Sequence, residues 1–302
     1  MRLDDEQESS NFEVQSGRSG GLGGGFGGGG GNLLGMLLPL IGSKFGCGGI
    51  AVVLILMAVM GGGLNLGSIV GGLGGGNVSQ QQAETSTDAS SLTEVQHISL
   101  KVLGSTERVW QEIFAENGQK YPPPTLVFYS QNGMSGCGAA QSAMGPFYCP
   151  ADRKVYLDTD FFQELKDNMK VPGDFPMGYV IAHEVGHHIQ TLTGISDKVR
   201  AAQQRGSEAA GNAMQVRMEL QADCYAGVWA ARDKNLLEPG DLEEGMQAAH
   251  AIGDDTLLRN AGRTPVESMF THGTSEQRMR WLRKGLESGN PADCDTFSAT
   301  TL

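Results

Sequence analysis

The chain has 302 residues and carries 34 acidic against 22 basic side chains, a formal net charge of −12. This balance argues against a nucleic-acid partner, because such partners depend on electrostatic attraction to clustered Lys and Arg. Glycine is unevenly distributed, since 25 of its 45 occurrences lie between Gly17 and Gly76. The Gly-rich run has no G-x-y period, which excludes a collagen-like helix. Composition therefore divides the chain into a first quarter that cannot build a packed core and a globular remainder.

The first quarter contains one strongly apolar run, from Ile50 to Met60. This run alone is shorter than the ~20 residues that a membrane-spanning helix needs, but uncharged flanks extend it to that length. We therefore expect a Gly-rich disordered cytoplasmic tail over 1–44 and a single transmembrane helix over 45–70. A flexible polar linker over 71–92 would then lead to a folded domain over 93–302. A Gly-rich segment that never enters a membrane is the open alternative.

The few basic residues before the apolar run favour a cytoplasmic N-terminus. The sequence then predicts a single-pass inner-membrane protein, attached through its N-terminal helix, with the C-terminal domain in the periplasm or outside the cell. Four cysteines lie in that domain, and they allow three pairings. A local disulfide fits the short Gly-rich loop between Cys137 and Cys149, which leaves Cys224 with Cys294. Buried free thiols are the alternative reading of the same four residues.

Hydrophobic periodicity in the domain predicts an initial helix over 93–117, interrupted near Gly104. Two strands are expected over 125–130 and 154–158, with an irregular Gly-rich stretch between them. We expect the second strand to lie beside the functional site and to pair with an extended substrate. The remainder is expected to be helical, over about 160–169, 177–193, 196–233, 241–260 and 274–288. Few strands beside many helices predict an α+β fold with a small sheet against a mostly helical body.

The motif with the clearest chemistry is His183-Glu-Val-Gly-His187, an H-E-x-x-H pattern. On a helix, the two histidines lie one turn apart on the same face and can reach one Zn²⁺ ion. Glu184 can then approach the open side of the metal and accept a proton from the attacking water. His188 points about 100° away from His187 and is not expected to be a ligand.

Zinc hydrolases of this type need a third protein ligand. The pattern for a third histidine shortly after the motif is absent, so the ligand should come from another helix. Glu219 and Asp223 are spaced i, i+4 on such a helix. Glu219 can bind zinc, and Asp223 can accept the second N–H of a ligating imidazole. Two solvated carboxylates on an acidic helix are the competing interpretation.

Several stretches together resemble the bacterial neutral zinc metallopeptidase family, a membrane-anchored group within the wider gluzincins. They are GCGAAQSAMGPFYCPADRKVYLD, YVIAHEVGHHIQ, RMELQADCYAGVWA, AIGDD and HGTSEQR. The resemblance implies a gluzincin-like domain with one zinc ion per chain. His183, His187 and Glu219 would be the ligands, and Glu184 the general base. It also singles out His272 and Arg278, although Gly273 stands where related membrane gluzincins have proline.

These observations predict a membrane-tethered zinc peptidase that acts on peptides or proteins. His272 is a candidate for stabilising the oxyanion, with Tyr156, Tyr179 and Tyr225 as alternatives. Asp223 and Arg278 are expected to support the ligands. Two other classes remain open: a catalytically silent, zinc-stabilised binding or assembly module, and a cell-wall amidase. The substrate and the oligomeric state are not specified by the sequence.

Overall fold

The computed structural model describes residues 1–16, 84–87, 89–141, 145–233 and 235–302. Its strands are β1 (Phe12–Ser16), β2 (Glu84–Ser86), β3 (Thr125–Tyr129), β4 (Asn132–Ser135), β5 (Gly138–Gln141), β6 (Phe147–Cys149) and β7 (Lys154–Asp158). Its α-helices are α1 (Glu94–Glu116), α2 (Asp160–Asp167), α3 (Phe175–Leu192), α4 (Ile195–Arg205), α5 (Glu208–Arg232), α6 (Asp241–Ala251), α7 (Asp254–Asn260) and α8 (Ser275–Ser288). The predicted combination of a small sheet with a mostly helical body is confirmed for this part of the chain.

The main sheet has the strand order β2-β1-β3-β7-β6. The central pairs β1–β3 and β3–β7 are parallel, whereas β2 and β6 run antiparallel to their neighbours at the two edges. β3 and β7 are buried along most of their length, as expected for parallel strands covered by helices. β4 and β5 form a separate antiparallel hairpin in the stretch that was expected to be irregular.

The predicted disordered tail does not hold for residues 1–16. Phe12 pairs in register with Leu126 of β3, and its side chain is buried in the core. Asn11 donates a hydrogen bond to Glu107 on α1, and Lys154 of β7 forms an ion pair with Glu13. These contacts give a short segment the burial and backbone pairing that its composition alone does not predict. β2 likewise lies within the stretch that was expected to be a linker.

The prediction of a single transmembrane helix is also wrong, because it disagrees with the position of β1 in the sheet. No helix in the described part of the chain has both the length and the apolar character needed to cross a bilayer. A single crossing over 45–70 would also place residues 1–16 and the domain on opposite sides of the membrane. β1 instead lies between β2 and β3 in one hydrogen-bonded sheet. Residues 45–70 themselves lie outside the described residues.

α1 is continuous, so the interruption expected near Gly104 is wrong. Its start is set by Thr93, whose side chain and that of Gln96 form a reciprocal capping box. Gly104 is instead the position where the N-terminal segment crosses the helix, because a Cβ there would collide with the carbonyl of Gln7. The helix expected over 196–233 is divided into α4 and α5 at Gly206, where Ser207 caps the start of α5.

Two close helix crossings position the residues that carry chemistry. A Cβ on Gly186 of α3 would lie 3.0 Å from the Cα atom of Ala222 on α5, so only glycine permits this approach. Gly285 of α8 packs directly against the carbonyl of Cys224, and Gly227 of α5 packs against the backbone of α8. α5 is therefore held tightly between α3 and α8. Its polar residues consequently face side chains of both neighbours.

Candidate metal centre

α3 presents the three residues of the H-E-x-x-H motif inside the protein. The ring centroids of His183 and His187 lie 4.8 Å apart, as expected for imidazoles one helical turn apart. His183 and Glu184 are each 7% exposed. A largely apolar helix surface surrounds these three polar residues, so their burial requires partners from other elements.

Glu219 of α5 supplies the third group of the cluster. Its Oε2 atom lies 3.2 Å from Nε2 of His183 and 3.4 Å from Nε2 of His187. Ligand atoms of all three residues lie within 4.8 Å of one another. The structure thus brings together the three residues that the sequence nominates as metal ligands.

The hydrogen bonds around the two imidazoles fix which nitrogen faces the cluster. Nδ1 of His183 lies 2.8 Å from the carboxylate of Asp223, and Nδ1 of His187 lies 2.9 Å from the amide oxygen of Gln190. Both acceptors require a proton on Nδ1, so in the neutral rings both Nε2 lone pairs point toward Glu219. Two lone pairs converging on a carboxylate oxygen repel one another unless a cation lies between them. The donor set of two imidazoles and one carboxylate suits a catalytic zinc ion.

The charges of the cluster show the same demand for a cation. Burial lowers the pKa of His183, but the charge of Asp223 and hydrogen bonds to Asp223 and Glu219 outweigh it and raise the pKa to about 10. The carboxylate of Glu219 similarly raises the pKa of His187 against the effect of burial. Burial acts to raise the pKa of Glu219, yet the two histidines hold it well below its usual range. In the absence of a metal ion, the carboxylate of Glu219 therefore favours protonation of the two histidines.

Asp223 connects the cluster to α8. Its carboxylate is fully buried and accepts hydrogen bonds from His183, from the hydroxyl of Tyr179 at 2.6 Å, and from Nε and Nη2 of Arg278 at 2.9 and 2.8 Å. Burial opposes its ionisation, but Arg278 and His183 keep the pKa of this carboxyl far below its usual range. Asp223 therefore stays anionic and holds His183 in one tautomer, while Arg278 compensates its charge.

Glu184 lies beside the cluster without joining it. Burial raises the pKa of its carboxyl, although the neighbouring histidines and the backbone N–H of Tyr148 oppose the rise. Tyr148 belongs to β6, the edge strand of the sheet. A raised pKa brings a carboxylate closer to the range in which it can both accept and return a proton near neutral pH.

The strand next to the site is not the one expected from the sequence. β7 is hydrogen-bonded to β3 on one side and to β6 on the other, so it has no free edge for a substrate. β6 occupies the edge position instead. Its Tyr148 hydroxyl contacts Nδ1 of His188 at 3.1 Å, and the other ring nitrogen of His188 donates to the carbonyl of Pro122. His188 therefore tethers the edge strand to α3 and has no nitrogen left for a metal.

His272 approaches the cluster from the loop before α8. Asp254 accepts hydrogen bonds from the backbone N–H groups of Thr271, His272 and Gly273, and its other oxygen lies 3.2 Å from Nδ1 of His272. Burial lowers the pKa of His272, but Asp254 and, more weakly, Glu219 raise it overall. His272 is thus an oriented donor near the cluster, held by the carboxylate of Asp254.

Two amide side chains around the cluster, those of Gln190 and Gln215, were not singled out from the sequence, whereas Tyr179 was a candidate for stabilising the oxyanion. Tyr179 precedes His183 by one helical turn, and Gln190 follows His187 by three positions, so both lie on the motif's face of α3. Gln215 on α5 donates a hydrogen bond of 2.7 Å to Oε1 of Glu219. This bond leaves Oε2 of Glu219 as the oxygen that faces the histidines. Spacing relative to the known motif is the signal that could have identified these residues.

Both disulfides of the favoured pairing are present. Cys137 is bonded to Cys149 at the end of β6, and Cys224 of α5 is bonded to Cys294 near the C-terminus. The first connects the hairpin region to the edge strand, and the second connects α5 to the segment that follows α8. Each disulfide therefore ties down an element that contributes to the surroundings of the cluster.

Comparison with known proteins agrees with this geometry. The family described as "Putative neutral zinc metallopeptidase" matches residues 1–297. The chain belongs to this family. It is 44% identical over 299 residues to the uncharacterized protein YpfJ of Escherichia coli (strain K12), covering 98% of this chain and 99% of that one.

A second relative is more distant. The uncharacterized protein Rv2575 of Mycobacterium tuberculosis (strain ATCC 25618 / H37Rv) is 40% identical over 235 residues, covering 73% of this chain and 76% of that one. No solved structure matches the chain. Membership of the family supports a zinc peptidase, while the roles of individual residues rest on the geometry described above.

Proposed function

We propose that the protein is a zinc-dependent peptidase with one catalytic zinc ion per chain. The observation that carries this proposal is the convergence of two Nε2 lone pairs and one carboxylate oxygen beside the buried carboxylate of Glu184. His183, His187 and Glu219 would hold the metal. Asp223 and Arg278 support His183 in the required tautomer.

When bound, zinc would polarise the scissile carbonyl and make a water molecule more acidic. Glu184 accepts the proton of the attacking water and later donates it to the leaving amine. Burial raises the pKa of Glu184, which makes its carboxylate a better proton acceptor than an exposed one for the first transfer. His272, oriented by Asp254, donates to the oxygen on which negative charge develops.

The decisive experiment compares the wild-type chain with Glu184→Gln. We expect both proteins to bind stoichiometric zinc, because Glu184 is not among the three ligands. The wild type should cleave members of a proteome-derived peptide library, whereas the variant should lose cleavage by at least ~100-fold. The full chain is required, because residues 1–16 contribute a strand to the sheet.

Equal processing of the library by both proteins would refute the peptidase proposal. If neither cleaves and only ligand variants lower the melting temperature, the site is a structural zinc centre in a binding module. Digestion of purified peptidoglycan by the wild type but not by Glu184→Gln would identify a cell-wall amidase instead.

We further propose that the domain works in an oxidising compartment, such as the periplasm or the cell exterior. Two disulfides support this proposal, since such bonds persist mainly in oxidising surroundings. Rapid thiol trapping in intact cells followed by gel analysis tests it. Alkylation of all four of these cysteines without prior reduction would place the domain in a reducing compartment.

A further inference from the structure

A buried amide, Gln190, contacts the outer nitrogen of the second histidine. Its side chain has no solvent exposure. The amide nitrogen donates to the carbonyl of Met218 at 2.7 Å and to Oε1 of Gln221 at 3.1 Å, while the amide oxygen lies 2.9 Å from Nδ1 of His187. All the hydrogen-bonding groups of this amide that the structure describes are directed at protein partners.

Main-chain carbonyls determine which way the two amides point. The carbonyl of Met218 can only accept, so the amide nitrogen of Gln190 must face it and the oxygen must face His187. Gln221 is held in the same manner, because its amide nitrogen donates to the carbonyl of Cys294 at 2.9 Å. Its oxygen consequently faces Gln190. If either amide flipped, its oxygen would face a main-chain carbonyl, and two buried acceptors would oppose each other.

We propose that Gln190 and Gln221 are positioning residues that fix the tautomer of His187 for zinc binding. Through this amide relay, defined as His187–Gln190–Gln221–Cys294, each donor hydrogen points away from the metal cluster. Nδ1 of His187 must then carry the proton, and Nε2 remains available as a ligand. The inference rests on the proposed function insofar as zinc is the metal.

The relay that holds His187 is uncharged, whereas the group that holds His183 is an anionic carboxylate. His183 is held by the carboxylate of Asp223, whose charge is compensated by Arg278. The neutral amide at Gln190 orients His187 without a further anion beside Glu219 and therefore needs no second buried arginine. A carboxylate at the same buried place would need its own compensating charge.

Zinc affinity of the full chain, measured by competition with a chromophoric chelator, tests the relay. Gln190→Met keeps the side chain's length but removes the acceptor, so we expect ~10–100-fold weaker zinc binding. Gln221→Met should also weaken zinc binding several-fold, although Gln221 touches no ligand. The matched control is Gln15→Met, since Gln15 is also buried and bridges the backbone N–H and carbonyl of Met134, neither of which belongs to the cluster. This control should lower the melting temperature and leave zinc affinity unchanged.

The relay would be overturned if Gln221→Met bound zinc within twofold of the wild-type affinity and lowered the melting temperature as the control does. If a relay variant does not fold, long-range ¹H–¹⁵N spectra of the zinc-loaded wild type decide the matter. Protonated Nδ1 on His187 is the expected result, and protonated Nε2 contradicts the relay. Zinc binding that depends on the relay without any peptide cleavage refutes the proposed function alone. A wild-type chain that binds no zinc refutes both.

Discussion

Replacing Gly186 with alanine puts a methyl group into the closest approach between the two helices that carry the proposed ligands. The added Cβ would lie 3.0 Å from Cα, 3.1 Å from the carbonyl oxygen and 3.2 Å from Cβ of Ala222. Carbon atoms in contact prefer about 3.5–4.0 Å, so α3 and α5 must separate by roughly 0.5 Å. Gly186 lies between His183 and His187, and Ala222 lies between Glu219 and Asp223. The separation therefore acts directly on the proposed ligand set.

The size of the effect follows from the geometry that zinc requires. Ligand distances tolerate only about 0.2 Å of deviation, which is less than the expected helix displacement. Overpacking of this kind costs about 1–3 kcal/mol. If zinc binding restores the original spacing, this strain reduces zinc affinity by about 5- to 150-fold. The loss should appear in chelator competition even though alanine favours helix formation by about 1 kcal/mol over glycine.

Gly211→Ala provides the matched control, because Gly211 of α5, like Gly186 of α3, is a glycine within a helix. A Cβ there would make ordinary contacts, the nearest being 3.4 Å from Cγ of Gln203. We expect this variant to be more stable by about 0.5–1 kcal/mol and to bind zinc normally. If Gly186→Ala binds zinc within twofold of the wild-type affinity and gains stability as the control does, the close helix crossing does not control the spacing of the ligands.

Three further outcomes are expected. Removing the disulfide by Cys224→Ala with Cys294→Ala should cost about 4 kcal/mol in urea unfolding, because the bond closes a loop of 70 residues, and an unchanged midpoint would contradict this. Folding lowers the pKa of Asp254 and raises that of His272, so the stabilisation from Asp254 is lost below about pH 4 and that from His272 is lost above about pH 6.5. Asp254→Asn should therefore flatten the pH profile of the unfolding free energy, and an unaltered profile would show that this pair does not stabilise the fold. Deleting residues 1–16 should expose the edge of β3 and cause aggregation, detected by light scattering, so a monodisperse truncated protein would be inconsistent with the sheet order.

The ligand cluster was accessible from the sequence because local geometry creates most of it. The i, i+4 spacing of His183 and His187 is fixed by the helix itself, and Glu219 and Asp223 repeat that spacing on a second helix. Gln190 and Gln221 were missed because an amide resembles an ordinary surface residue, although the spacing of Gln190 from His187 places it on the motif's face of α3. Their significance depends on which carbonyls they meet, and that is decided by the packing of α3, α5 and the C-terminal segment.

The N-terminal strand was missed for a different reason. Composition averaged over 1–44 is dominated by glycine, and this average conceals the alternation of Phe12 and Val14 within five residues. A strand this short acquires its structure from its partner, and Leu126 is more than a hundred positions away. The predicted single crossing of a membrane was wrong for the same reason. Hydropathy detects an apolar run but does not show which elements the flanking residues pair with.

The position of β1 also bears on the order in which the chain folds. β1 is inserted between two strands that are synthesised after it, and its pairing with β3 joins residues more than a hundred positions apart. Such non-local pairing is slow to form, because a long loop must close before any contact is gained. The residues of the metal cluster, by contrast, lie on helices that follow one another closely. We therefore expect refolding in two phases, with assembly of the metal cluster preceding the entry of β1 into the sheet.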